Sequence, residues 1–137
     1  MLVNDLRIAV GRIARRMRQL YNADESVSFT EIAVLARLDR EGALSSVQLA
    51  ELERVSAQAV GTVLGALHRR GLVERSVDPS DGRRVITGIS AAGRAQLGSR
   101  EQVVMERLAS VLETLSPEER DLLDAALPVL ERIADRL

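Results

Sequence analysis

The stretch that most constrains this chain runs from residue 45 to residue 90, SSVQLAELERVSAQAVGTVLGALHRRGLVERSVDPSDGRRVITGIS. Val47, Leu49, Ala50 and Leu52 are the apolar set of a short helix, started by Ser45 or Ser46 and ending near Glu53. After a turn at Arg54 and Val55, Ser56 caps a second helix to about Arg70, in which Val60, Val63, Leu64 and Leu67 recur at helical spacing. Gly71 stops it. Leu72 to Arg75 and Val85 to Ile89 then read as two strands around the turn-rich segment DPSDGRR. Two helices on a tight turn, followed by a hairpin, have the layout of a winged helix-turn-helix. That arrangement sets one helix in a DNA groove and lets the hairpin reach the backbone or the next groove.

The outward face of the second helix supports this. Ala57, Gln58, Gly61, Thr62, Gly65 and Arg69 make it small and nearly uncharged, where a solvated helix usually carries more charge. Such a face approaches another surface closely. Gln58 offers paired hydrogen bonds to adenine, and Thr62 a contact to a thymine methyl or a phosphate. The start at Ser45 and Ser46 is open to two compatible readings, an ordinary cap and a phosphate site built from free amides. In the hairpin, Pro79 sets φ, Asp78 and Asp81 can bond nearby amides, and Gly82 allows a positive φ. Arg83 and Arg84 are therefore expected to project from a stiffened loop as minor-groove probes, the plainer reading being a solvated turn. His68, the single histidine, suits the negative end of its helix as a surface residue.

Charge distribution says more than the total. From Arg54 to Arg94 there are seven arginines against Glu74, Asp78 and Asp81, a local excess of +4 in a chain whose net charge is −1, and Arg54, Arg69, Arg75, Arg83 and Arg84 among them are the expected DNA-binding arginines. All 19 basic residues are arginine, which favours forked contacts to phosphate and guanine. There are no cysteines, which excludes disulfides and thiolate chemistry, and a zinc site is not expected beside one histidine. No nucleophile–base pair and no glycine-rich phosphate loop after a strand is visible, so neither an enzyme nor a cofactor is expected. Neither a membrane span nor a secretion signal is legible, and the expected location is cytoplasmic.

The flanks read as helices. In residues 2–20, Leu6, Val10, Ile13, Met17 and Leu20 form an apolar seam, with Arg12, Arg15, Arg16 and Arg18 on much of the remaining surface as a solvated face. Ser28 to Glu41 is a helix with a capping box at Ser28 and Glu31, a buried face of Ile32, Leu35 and Leu38, and a stop at Gly42. Ser90 caps a long helix to about Leu115, with Leu97, Val104, Leu108, Val111 and Leu112 apolar and with Gly93 and Gly98 weakening its start. Ser116-Pro117-Glu118-Glu119 begins the last helix, where Leu123, Leu127, Leu130, Ala134 and Leu137 repeat the seam and Pro128 predicts a kink or local break. Narrow seams at both ends suit pairing with a second copy. The expected fold is mainly α with a small β-hairpin wing. It forms one continuous unit, with residues 28–90 as the DNA-binding lobe and residues 1–27 and 91–137 as a helical dimerisation region.

On these residues the chain resembles the MarR family of bacterial transcription regulators over nearly its whole length. The segments that carry the resemblance are LSSVQLAE, LHRRGLVERSVDPSDGRR with its Asp81-Gly82-Arg83 tip, and ISAAGRAQL with its Ser-x-x-Gly helix start. The resemblance implies an obligate homodimer, recognition helices in successive major grooves and wing arginines in the flanking minor grooves. It also implies a small-molecule effector of unknown identity bound between the dimer region and the DNA-binding lobe. Carried over by position, Arg83 matches the wing-tip arginine, Asp81 the acid that braces the wing and Arg75 an arginine on the DNA backbone. Residues 56–62 match the base-reading segment. The chain departs from the family pattern at Glu53 and Arg54, where a leucine and a glycine are usual, and at Thr62, where an arginine is frequent. The expected function is a homodimeric, sequence-specific regulator, a ligand-responsive repressor on a pseudo-palindromic operator in double-stranded DNA. The alternative is a winged-helix protein-interaction module without specific DNA binding.

Overall fold

The computed structural model describes residues 1–22 and 26–137. Six helices and one hairpin follow in the order α1 (Leu2–Tyr21), α2 (Phe29–Glu41), α3 (Ser46–Glu53), α4 (Ala57–Arg69), β1 (Val73–Asp78), β2 (Asp81–Ile89), α5 (Ala91–Leu112) and α6 (Pro117–Arg136). The chain divides into two compact units, Met1–Val104 and Met105–Leu137.

Local chemistry sets the helix boundaries in the first unit. The Ser28 hydroxyl accepts from the Glu31 amide at 3.2 Å, and the Ser28 amide donates to the Glu31 carboxylate at 2.9 Å. Ser45 does the same with Gln48, at 3.1 and 3.0 Å. Each pair satisfies two amides that a helix start leaves unpaired. Ser45, rather than Ser46, is therefore the cap of α3, and its side chain is buried. Gly42 and Gly71 follow the ends of α2 and α4 with φ of +80° and +72°, the left-handed region that glycine enters at no steric cost.

The core of this unit is built from Ile32, Val34, Leu35 and Leu38 of α2, Leu49 and Ala50 of α3, and Val60, Leu64 and Leu67 of α4. Leu72, Val73 and Ile89 from the base of the hairpin and Leu97 of α5 complete it. Val27, in the segment whose sequence is polar and turn-like, is buried as well. Two expected members are not: Val47 and Leu52 of α3 are exposed. An eight-residue helix has too little surface to bury more than one narrow stripe, here Leu49 and Ala50.

The hairpin is longer than its apolar pattern. The strands run to Asp78 and from Asp81, leaving only Pro79 and Ser80 as the turn. Val77 pairs with Val85 but Asp78 pairs with Asp81, so Gly82, Arg83 and Arg84 are bulged out of the ladder. The expectation of a long tip loop carrying the arginines is corrected: they stand in a bulge of β2, and Gly82 is not among the positive-φ residues. A third segment joins the sheet edge. Leu44 and Thr87 exchange two main-chain hydrogen bonds, of 3.0 and 2.8 Å.

The wing is locked to α5 by Ser90. Its hydroxyl donates to the Gly71 carbonyl at 2.6 Å and accepts from the Gly93 amide at 3.0 Å. A Cβ on Gly93 would stand 2.1 Å from the Leu72 carbonyl oxygen. That glycine, which reads in sequence as a weak spot, is the close approach that seats the wing, whereas Gly98 has open space around it.

At the start of the unit, the only tyrosine and the only phenylalanine meet edge to face, with ring centroids 5.7 Å apart. The Arg18 guanidinium lies 5.1 Å from the centre of the Phe29 ring, so the end of α1 is held against α2. Arg100 of α5 is buried and donates to the Tyr21 carbonyl at 2.7 Å and to the Ser26 hydroxyl at 3.2 Å. Among the described residues, none in α1 is buried.

In the second unit, the Ser116 hydroxyl accepts from the Glu119 amide at 3.1 Å and the Ser116 amide donates to Glu119 at 2.8 Å, with Pro117 at the first helical position. The helix continues through Pro128, so of the kink or local break expected there the break does not occur. It too has no buried residue. Besides the seam at Leu123, Leu127 and Leu130, α6 carries Leu122, Val129 and Ile133, which widen its apolar face well beyond one seam. Leu122 is 72% exposed. No helix among the described residues is long and apolar enough to cross a membrane.

Candidate nucleic-acid interface

The helix-turn-helix begins with α3 and α4, joined by Arg54 and Val55. The Ser56 hydroxyl accepts from the Ala59 amide at 3.0 Å and so starts α4. Val60, Leu64 and Leu67 face the core, and this fixes which side remains outward. Ala57, Gln58, Gly61 and Thr62 are exposed, with Gly65 half-buried. Thr62 donates its hydroxyl proton to the Gln58 carbonyl at 3.1 Å. Its side chain is then left with an acceptor and a methyl group to offer, not a donor. Arg69, the last residue of the helix, lies back toward Gly65: its Nη1 would sit 3.5 Å from a Cβ there.

Ion pairing sorts the seven arginines of the basic stretch. Arg70 pairs with Glu31 and also donates to the Ser26 carbonyl, so it ties α4 to the start of α2. Arg94 lies 3.3 Å from Asp39. Arg84 donates to Asp78 through Nε at 2.9 Å and Nη2 at 2.8 Å. Among the described residues, the remaining four, Arg54, Arg69, Arg75 and Arg83, are exposed and have no carboxylate partner. All four belong to the set singled out in the sequence, and an uncompensated exposed guanidinium is what an anionic partner requires. Arg84 belongs to that set too, but its fork is already occupied.

The wing tip is braced by two acids rather than one. The Asp81 carboxylate accepts from the Arg83 amide at 3.1 Å. Asp78 does more. One oxygen accepts from the Ser80 amide at 2.9 Å and the Ser80 hydroxyl at 2.8 Å, while the other holds Arg84. These bonds, the Ser80 amide first, lower the Asp78 pKa below its ordinary value. The bond from Asp78 to Ser80, two residues on, is a recognisable turn signature in the sequence. Its pairing with Arg84 is not, because it depends on the bulge.

Ser45 is placed differently from the expectation. Its hydroxyl is buried and committed to Gln48, while Ser46 is exposed. The unusual turn is also explained. Glu53 receives the Arg37 Nε at 2.9 Å, and Arg37 Nη2 lies 3.5 Å from the Leu52 carbonyl. A side chain of α2 thereby holds the end of α3 in place of an apolar contact. Nothing in the local pattern of either helix signals this pair, since the partners are far apart in sequence.

The residues proposed for self-association lie on α1, on α6 and at the C-cap of α6, Leu137. Leu6, Met17 and Leu130 are half-buried, while Val10, Ile13, Leu123, Leu127 and Leu137 are exposed. The seams therefore lie on formed helices, and most of their residues are exposed.

A compact helix-turn-helix with a two-stranded wing and an uncompensated basic surface defines a winged-helix regulator. A profile of the MarR family matches residues 27–85. An HTH-type transcriptional regulator of Mycobacterium tuberculosis is 34% identical over 134 residues, covering 98% of this chain and 93% of that protein. An HTH-type transcriptional repressor of the same species is 35% identical over 96 residues, 69% of each chain. Among solved structures, a Pseudomonas aeruginosa protein superposes with a TM-score of 0.83 at 34% identity, over 97% of this chain and 93% of the other. A mutant MarR of Escherichia coli complexed with operator DNA shares the fold with a TM-score of 0.72 at 22% identity, over 93% and 94%. The chain belongs to the MarR family of transcriptional regulators.

Proposed function

We propose that this protein is a homodimeric, sequence-specific DNA-binding regulator that represses transcription in the cytoplasm by occupying a pseudo-palindromic operator. The observation that carries the reading is the sorting of arginines. Every unpaired guanidinium of the basic stretch lies on the helix-turn-helix or the wing, beside the small, uncharged face of α4. In this reading Ser56, Ala57, Gln58, Gly61 and Thr62 meet the major groove. Arg69, Arg75 and Ser46 meet the backbone, and Arg83 enters the minor groove with Asp81 and the Asp78–Arg84 pair keeping the tip rigid.

Pairing of two copies is supported by α1 and α6, which carry apolar seams yet have no buried residue. A two-fold protein matches a two-fold site. Residues 1–27 and 91–137 would then serve as the dimerisation region and 28–90 as the lobe that it positions. Repression is supported by the related mycobacterial repressor, and release would come from an effector that changes the spacing of the two α4 helices.

Titration of a labelled duplex from upstream of the protein's own gene, beside an unrelated duplex and at several salt concentrations, tests this. Saturable dimer binding that prefers the first duplex and weakens steeply with salt is expected. Equal, weak binding to both, with a salt-insensitive protein complex instead, would replace the reading with that of a protein-interaction module.

A further inference from the structure

Among the described residues, Arg54 is the one residue with a side chain that holds a positive φ, at φ 53° and ψ 44°. It ends α3 in the left-handed conformation, its amide 3.3 Å from the Glu51 carbonyl. Glycine or asparagine takes this conformation readily, while a long side chain pays a steric cost for it. A turn kept only for its shape would be better served by glycine.

The neighbouring charges show what the arginine adds. Glu53 immediately before it is turned inward and neutralised by Arg37 at 2.9 Å, and is only 23% exposed. Arg54 is exposed, and among the described residues no carboxylate pairs with it. Two residues later Ser56 caps α4, the helix proposed to read bases. The turn thus separates its two charges: the negative one is held against α2, and the positive one stands free at the start of the recognition helix.

We propose that Arg54 anchors the DNA backbone, pairing with a phosphate beside the bases that α4 reads. Arg37 is a positioning residue that keeps the Glu53 carboxylate from opposing that phosphate. The strained turn is the conformation that holds the guanidinium there. This inference rests on the DNA-binding reading above.

The test compares the full-length wild type with Arg54→Gly, Arg54→Asn and Arg54→Lys, each titrated against the operator and the unrelated duplex from about 50 to 200 mM salt, with thermal melting alongside. Glycine and asparagine both fit the left-handed turn, so these variants are expected to melt at or above the wild-type temperature. Their affinity is expected to fall on the order of tenfold on both duplexes. The slope of log affinity against log salt should become shallower by about 2, one contact of roughly 0.9 from each protomer. Arg54→Lys should restore most of the slope. Arg37→Gln should weaken binding most at low salt, and adding Glu53→Gln should recover it; an affinity loss that only follows a loss in melting temperature would mark a purely structural ion pair. Wild-type slope and affinity in folded Arg54→Gly and Arg54→Asn overturn the proposal, as does a loss confined to the operator duplex. Failure of the wild type itself to bind either duplex would instead sink the DNA-binding reading.

Discussion

The lobe formed by α2, α3, α4 and the hairpin and the two terminal helices α1 and α6 carry the same kind of amphipathic signal, yet end in different states. In the lobe, Leu35, Leu49 and Leu67 are 0% exposed, because three short helices and a sheet edge surround them from several directions. On the terminal helices Ile13 is 58% and Leu127 47% exposed, and neither helix buries a single residue. Apolar periodicity states that a face will be covered. It does not state by whom. The lobe builds a buried core; the terminal helices bury no residue, and their seams are the surface proposed above for self-association.

That contrast can be broken by substitution. Leu67→Ala empties a site with no exposure, and a cost of about 2–5 kcal/mol is expected, visible in denaturant unfolding and independent of protein concentration. A loss that diminished with rising concentration would place Leu67 on the wrong side of the comparison. Ile13→Asp combined with Leu127→Asp should leave the lobe folded but weaken self-association by about a hundredfold or more, measured by light scattering across a dilution series. An unchanged dimer would show that these seams are not its contact surface.

Arg83→Ala acts on neither core nor seam. It should weaken operator binding by roughly tenfold, about 1.4 kcal/mol, while the dimer and its melting remain as in the wild type. Unaltered affinity would remove the wing from the interface. Ser116→Ala deletes the cap of α6 and should cost about 1 kcal/mol whether or not a partner is bound, because the lost bond is local.

The smallest effect expected is one of pH at the wing tip. Asp78 titrates below its ordinary value because its charged form is hydrogen-bonded in the folded tip. The stabilisation it provides is therefore complete above the ordinary carboxylate range and is lost as pH falls through its lowered value. The Ser80 amide resonance should move with that low inflection. An inflection at or above the ordinary value would mean that the brace to Ser80 and Arg84 does not form in solution.

How much of this was legible beforehand depends on the range of the interactions. The capping serines at 28, 56 and 116, the glycine stops at 42 and 71 and the core stripes of α2 and α4 all rest on contacts within a few residues, and the sequence shows them. The placement of Ser45 inside the core, the exposure of Val47 and Leu52 and the burial of Val27 rest on which neighbour arrives from elsewhere in the chain. The wing sits between these cases. Its turn chemistry is local, but the bulge that carries Arg83 and Arg84 depends on the pairing of two strands.

By itself, the sequence determined the order of elements, the winged helix-turn-helix and the set of arginines concentrated upon it, since period, caps and composition are properties of neighbouring residues. The tertiary fold selects which of those arginines pair with a carboxylate: Arg70–Glu31 and Arg94–Asp39 join residues far apart in the chain, and Arg84 reaches Asp78 through the bulge of the paired strands. The same holds for Gly93, whose missing side chain matters only once the Leu72 carbonyl lies against it. Arg54 has the same origin: its left-handed turn becomes meaningful when Arg37 draws Glu53 away and leaves one charge facing outward.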